Sequence, residues 1–257
     1  MRPHKSIMSL LGLPWLAVIL GAADAPMLVP DVSQRQIDIQ YSFKGAELLL
    51  FGAIVYPGGR PPGKNTDIVV VLKGPEQQIR MREKQKIAGI WVNADSMQFQ
   101  SAPSFYAIAS SRPLKTLADG RTAAIYELGI NNIQLSPASL ADTNAIGRFE
   151  NGLMDLQGRK GLFVQAPGTV EITDGVLYRA HLPLSARAVV GDYTAETFLI
   201  QDGRVIAAAV RDIEVRKSGL ERFVANAAED WSLLYGLAAI AVAVLMGAAA
   251  GWIGRRV

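Results

Sequence analysis

Between Ser232 and Gly254 the chain carries no charged side chain. Leu233 to Ile253 is 21 residues, roughly 31 Å of helix at 1.5 Å per residue, which matches the hydrocarbon core of a bilayer. Trp231, Tyr235 and Trp252 stand near its two edges, where amphipathic rings anchor at headgroup level. Glu229 and Asp230 precede the segment, and Arg255 and Arg256 follow it. The positive-inside rule then leaves the tail, 255–257, in the cytoplasm and everything before Trp231 on the other side. A buried core helix would rarely lack charge over this length and carry aromatics at both ends. A membrane span at 233–254 is therefore expected, with the bulk of the chain folding outside the bilayer.

The opposite end agrees with export. Arg2, His4 and Lys5 form a basic start, Ile7 to Leu20 is an apolar run, and small residues follow at Gly21, Ala22 and Ala23. This is the layout of a secretory signal peptide, expected at 1–23. An uncleaved anchor is the alternative. The two ends also account for the basic balance, 26 basic against 23 acidic residues over the whole chain. Without the ends, residues 26–254 hold 22 of each. The charge therefore gives no reason to expect nucleic acid as a partner. One local exception is the run from Arg80 to Lys86, which holds four basic residues in seven. It reads as the solvated face of an edge strand, protected from aggregation by its charge, or as an anion- or lipid-facing patch.

The chain has no cysteine. That excludes thiol catalysis and cysteine-based metal or iron–sulfur sites. An exported region without disulfides must stabilise itself by burying a core, for which about 200 residues are ample. Beyond the signal region the only histidine is His181, so a multi-histidine metal site is impossible. No phosphate-binding loop, dinucleotide fingerprint, zinc-protease motif or nucleophile elbow occurs. No cofactor, metal or catalytic residue is expected, and the chain is not expected to be an enzyme. His181 is expected at a surface or core edge, and Trp91 in a core or on a sheet face.

The exported part reads as mainly β. Ile37, Ile39, Tyr41 and Phe43 alternate with polar residues at period two, as a half-buried strand does. LLLFGAIV (48–55), DIVVVLKG (67–74), QIRMR (78–82), IAGIWVN (87–93), MQFQ (97–100) and FYAIAS (105–110) follow, punctuated by Gly and Pro. Seven short strands at this spacing predict an Ig-like β-sandwich over 24–115. Its last strand ends at Arg112-Pro113, because proline cannot continue a paired ladder. Tyr106 and Arg112 fall at this junction and are candidate interaction residues, as are Arg80 and Arg82 in the basic run.

Residues 116–161 read as a mixed, helical connector. Ile146, Phe149, Leu153 and Leu156 keep helical spacing, predicting a helix at about 142–157 that packs on a sheet and closes at Gly158 and Gly161. Ser136-Pro137 reads as a helix start, and 121–135 is ambiguous between helix and strand. A second β region follows over 162–216, with hairpin signals at Asp174-Gly175 and Asp202-Gly203. Gly191-Asp192-Tyr193 is analogous to the tyrosine position of Ig-type sandwiches. This half is short for an independent sandwich, so it either uses the middle helix or extends the first sheet. Ser218 and Glu221 form a capping box for a juxtamembrane helix over 217–232. In the span, Ala239, Ala243, Gly247 and Gly251 recur every four residues. Small residues on one face let another helix approach closely, making Gly247 and Gly251 candidates for self-association or for contact with a multi-span membrane protein.

The segments "WVNADSMQFQSAPSFYAIASSRPL" (91–114), "RFENGLMDLQGRKGLF" (148–163) and "VGDYTAETFLIQDG" (190–203), with the export signal and a span ending in arginines, resemble the alphaproteobacterial transmembrane-protein family Alph_Pro_TM. The resemblance covers essentially the whole chain and implies a place in the bacterial inner membrane, single-pass, with the bulk periplasmic. It supplies no catalytic residue. Members look like neighbours of sulfite-exporter-like permeases of the TauE/SafE type, which implies a non-enzymatic accessory role beside an anion exporter. The alternative is a periplasmic ligand-binding module for a small anion or a glycan.

Overall fold

The computed structural model describes residues 26–39, 44–57, 66–138, 142–217 and 220–254. The expected signal peptide lies outside these residues, as do Tyr41, Phe43, Ser218 and the arginine tail. The fold is mainly β, with three sheets followed by a C-terminal apolar helix.

Thirteen strands are present among the described residues: β1 (Met27–Val32), β2 (Gln36–Ile39), β3 (Ala46–Val55), β4 (Thr66–Lys73), β5 (Glu76–Ile87), β6 (Ile90–Pro103), β7 (Tyr106–Ser110), β8 (Ser136–Pro137), β9 (Phe163–Pro167), β10 (Val170–Thr173), β11 (Leu177–Leu184), β12 (Gly191–Gln201) and β13 (Arg204–Lys217). The helices are α1 (Leu114–Leu117), α2 (Gly120–Ile125), α3 (Thr143–Arg159), α4 (Leu220–Asp230) and α5 (Ser232–Gly254).

A four-stranded sheet, β1-β3-β11-β10, and a six-stranded sheet, β2-β13-β12-β4-β7-β9, share one core. The first contributes Leu28, Leu48, Leu50, Ile54, Tyr178 and Leu182; the second contributes Ile68, Val70, Leu72, Phe105, Leu199 and Ile213. Within the six-stranded sheet, β2 runs parallel to β13 and β9 parallel to β7. The residues of 162–216 therefore form no separate unit: β11 inserts between β3 and β10, and β12 between β4 and β13. Of the two possibilities the sequence left open, extension of the first sheets is the one adopted. Neither half could bury its apolar strands alone.

Alternation sets the two-sided strands. In β11, Tyr178, Ala180, Leu182 and Leu184 are buried and the residues between them exposed. β4, apolar from Ile68 to Leu72, is a central strand, buried over Asp67–Leu72, as a strand covered on both faces must be. Glycine is required at Gly52, where a Cβ would stand 2.5 Å from Val29 O and 2.8 Å from the Tyr178 ring. Asp174-Gly175 and Asp202-Gly203 both have positive φ at each residue, as tight hairpin turns use; Thr173 pairs with Leu177 across the first and Gln201 with Arg204 across the second. Tyr193 is buried, and its hydroxyl donates to Val189 O at 2.8 Å.

Two segments differ from expectation. Ser136-Pro137 starts no helix; it is the short edge strand β8, paired with β6 at Phe99 and Ser101. The helix begins at Thr143 instead, and ends as expected. Leu162 N–H bonds to Gln157 O at 2.9 Å and Gly161 N–H to Gly158 O at 2.9 Å, with Gly161 at φ +68. This double closure turns the chain into β9. The second difference concerns 78–93. Ala88 and Gly89 both have positive φ and turn the chain inside 87–93, which the sequence read as one strand: Ile87 ends β5 and Ile90 begins β6, the two sides of one long hairpin. Ala-Gly is a poor turn signal, since alanine rarely adopts that conformation.

This hairpin continues β4 and β7 past the end of their sheet. Gly74 N–H donates to Phe105 O at 2.8 Å and Ser104 N–H to Pro75 O at 2.9 Å, so one ladder runs on into β5 and β6. α3 packs along the inner half of the arm. Phe149 and Leu153 join Met97, Phe99 and Ala102 in a second core, flanked by Ile79 and Met81. Burying two such side chains contributes about 1.5–3 kcal/mol each. Arg148 closes the edge, 3.1 Å from Glu83 and 3.0 Å from Asp95.

Candidate functional site

The sequence singled out Tyr106 and Arg112, and the structure turns both toward the protein itself. Tyr106 lies on central strand β7 and is fully buried. Its hydroxyl donates to Glu127 O at 2.6 Å and accepts from Gly129 N–H at 2.9 Å. Burial pushes its phenol well above the ordinary range. The adjacent Phe105 points into the opposite core layer, 5.9 Å from the Tyr193 ring. Neither ring offers a surface to a ligand.

Arg112 reaches back over the start of β4. Its Nε donates to Asp67 Oδ1 at 2.9 Å, its Nη2 to Asp67 Oδ2, and Ser111 Oγ to Asp67 Oδ1 at 2.7 Å. Burial would raise the Asp67 carboxyl, but these donors outweigh it and hold it below its ordinary value. The Arg112 side chain is otherwise 53% exposed, so its guanidinium pairs with Asp67 on one side and faces solvent on the other.

Beside Tyr106, the ammonium of Lys73 sits between two carboxylates, 2.7 Å from Glu127 and 3.2 Å from Glu196. Burial disfavours its charge, yet the two partners raise its pKa. A shallow 360 Å³ cleft opens over this cluster, walled by Tyr126 and Phe198. Sequence reading missed the cluster because its members lie on β4, on β12 and in the 126–129 loop, far apart in the chain. Its one ammonium is shared by two carboxylates, so the cluster ties β4, β12 and the loop together as a strut.

Arg80 and Arg82 lie on the exposed face of β5. Arg80 bonds Gln98 across the ladder at 3.1 Å. His181 is exposed, with Nδ1 3.0 Å from Glu47 Oε1. Of the two expected places for Trp91, a core or a sheet face, it takes the second: it lies on β6 opposite Lys86, 66% exposed, near the hairpin tip. Among the described residues no group of three or more metal-ligating side chains converges.

The unpaired surfaces are apolar. On the outer face of the four-stranded sheet, Met27 stands opposite Val55, and Val29, Ala53 and Leu177 form the next row across three strands. Phe51 follows, and a 530 Å³ groove opens among them. Met27, Val29, Phe51, Val55 and Leu177 are all exposed, where an antiparallel sheet facing water would carry polar residues. This patch was not anticipated, since in single strands its residues read as ordinary alternation. The other apolar surface is α5, whose apolar window is unburied; a Cβ added at Gly247 or Gly251 would meet nothing among the described residues. Among the described residues α5 is the one helix long and apolar enough to cross a membrane.

A family model described as "Putative transmembrane protein (Alph_Pro_TM)" matches residues 27–256. No curated protein matches the chain.

Proposed function

The chain belongs to the family described as "Putative transmembrane protein (Alph_Pro_TM)", and from that membership we propose that it is a membrane-anchored, non-enzymatic accessory protein. Its β region is held on the periplasmic side of the bacterial inner membrane by α5, with the arginine tail in the cytoplasm. It docks onto a multi-span membrane protein in the same bilayer. An anion exporter of the TauE/SafE type, the class that the sequence resemblance implies, is the partner to seek first.

The observation that carries this reading is the apolar outer face around Phe51 and Leu177. Monomeric proteins rarely leave a contiguous patch of this kind uncovered, and such patches mark interaction sites. The charged clusters support the same reading, because they are spent on internal pairing. Gly247 and Gly251 on α5 offer a second contact by which a partner helix could approach closely.

The test is site-specific photocrosslinking of the full chain in its native membrane, with the reactive group at Phe51 or Leu177. The expected product is an adduct with one multi-span protein, identified by mass and lost in a Val29→Lys/Val55→Lys variant. Labelling by water alone at both positions, with the protein folded and membrane-bound, overturns the docking role.

A further inference from the structure

The outer half of the β5–β6 arm is bare. Every residue from Lys84 to Asn93 is exposed, although this stretch holds Ile87, Ile90, Trp91 and Val92. Their exposures are 55%, 68%, 66% and 38%. Side chains directly opposite each other in a ladder share a face. Ile87 pairs with Ile90 and Gln85 with Val92, so one face of the tip is aliphatic. Lys86 pairs with Trp91 and Lys84 with Asn93, so the other carries an indole between two ammonium groups. Apolar side chains thus project from both faces of a two-stranded ribbon. A protein docking surface would cover one face; a medium that surrounds the tip covers both.

The charge has one sign. Residues 84–94 contain two lysines and no acid. The nearest acids, Glu83 and Asp95, are engaged by Arg148 at the base of the arm. Arg82 adds a further cation on the Lys84 side. Indole, aliphatic and ammonium groups together match the headgroup layer of an anionic bilayer, where tryptophan partitions and lysines are attracted to the lipid charge.

The arm also leaves the fold at the right end. Lys73, the last residue of β4, pairs with Thr194, and Thr194 pairs with Asp212 near the end of β13. β13 ends five residues later, at Lys217, and α4 begins at Leu220, followed by α5. The hairpin and the membrane helix therefore depart from the same end of the six-stranded sheet. The twelve residues of β5 span about 40 Å at 3.3 Å each. From Leu220 to the start of α5 the helix rises only about 18 Å. An inclined arm is long enough to reach the surface into which α5 enters. Tethering by α5 makes this second contact intramolecular, so modest intrinsic affinity suffices.

We propose that the β5–β6 tip is a second membrane contact: Ile87, Ile90, Trp91 and Val92 insert into the headgroup layer of the leaflet that α5 enters, with Lys84, Lys86 and Arg82 on its anionic lipids. The proposal rests on α5 lying in a bilayer and is independent of any protein partner. It would hold the β region at a fixed tilt rather than letting it swing on α4.

The chain has no cysteine, so single cysteines carry a fluorescent label cleanly. The full chain is reconstituted into nanodiscs of mixed anionic and zwitterionic lipid, labelled at Ala88→Cys, at Asp202→Cys on the distal β12–β13 turn, or at Leu245→Cys within α5. Nitroxide-bearing lipid should quench the labels at 88 and 245 several-fold more than the label at 202, while iodide quenches chiefly at 202. Ile87→Asp/Ile90→Asp should return the label at 88 to the behaviour of 202. Lys84→Glu/Lys86→Glu, or zwitterionic discs, should weaken its lipid quenching. If 245 is lipid-quenched but 88 behaves like 202, the tip proposal is overturned and the anchor stands. Shielding of 88 from both quenchers means that protein covers the tip, which also overturns it. Loss of lipid quenching at 245 removes the anchor and the tip proposal together.

Discussion

The hydroxyl of Tyr106 donates to the main-chain carbonyl of Glu127 at 2.6 Å, from a strand that is buried throughout. The same oxygen accepts from Gly129 N–H, and Gly129 has φ +108. One side chain of the β7 core thus fixes the loop that brings the Glu127 carboxylate to Lys73. Tyr106→Phe should leave a buried carbonyl and a buried N–H without their partner, costing about 1–3 kcal/mol. Chemical denaturation measures this. A loss within a few tenths of a kcal/mol would mean that the loop is held by packing alone.

Asp67 and Arg112 make stability depend on acidity. The folded carboxyl titrates below its ordinary value of 3.8, so its contribution is complete above that value and is lost as pH falls through the lowered folded one. Asp67→Asn should destabilise the protein by about 1–2 kcal/mol at neutral pH, discounted because Arg112 is half exposed. The difference from the parent should shrink toward the acid end of a pH series of melting curves. A constant difference down to pH values below the folded pKa would assign the loss to shape rather than charge.

Lys73 separates two carboxylates that would otherwise face each other. Its folded pKa is raised above the ordinary 10.5. Its contribution is therefore present in full below that value and fades only as pH rises through the folded one. Lys73→Met should cost about 1–3 kcal/mol near neutrality, through unpaired Glu127 and Glu196. Adding Glu196→Gln to that variant should restore part of the loss. A double variant as unstable as the sum of its parts would show that the three groups do not act together.

Phe149 joins α3 to the hairpin arm through a core distinct from that of the two large sheets. Phe149→Ala should cost about 3 kcal/mol locally. Hydrogen exchange should rise in β5, β6 and α3 while β4 and β12 keep their protection. Uniform loss of protection across all sheets would mean that the arm and the main core unfold as one unit.

Local pattern made much of the architecture legible. Period two in β11, the unbroken apolar run of β4 and the Asp-Gly turns at 174 and 202 state strands and hairpins directly, since each depends on neighbours in the chain. Helical spacing located α3 to within two residues, and Gly161 marked its end. The length, aromatic borders and lack of charge of 233–254 marked the one helix, among the described residues, able to span a bilayer. What failed also has a physical cause. Ser136-Pro137 carries the same local signal at a helix start and in an edge strand, and Ala88-Gly89 turns a hairpin with a residue that seldom takes positive φ.

Pairing was the part no local pattern held. That β11 lies against β3 and β12 against β4, merging two halves of the chain into one core, depends on contacts across more than a hundred residues. The same long-range pairing sends Tyr106 and Arg112 inward, to Glu127 and Asp67, and leaves Phe51, Leu177 and Trp91 outside. By itself the sequence determined that this chain is β-rich, lacks cysteine and ends in a segment that fits a bilayer, because composition and periodicity suffice for those. Only the tertiary structure decided which aromatic and charged groups remain free for a partner, because burial depends on which strand becomes the neighbour of which.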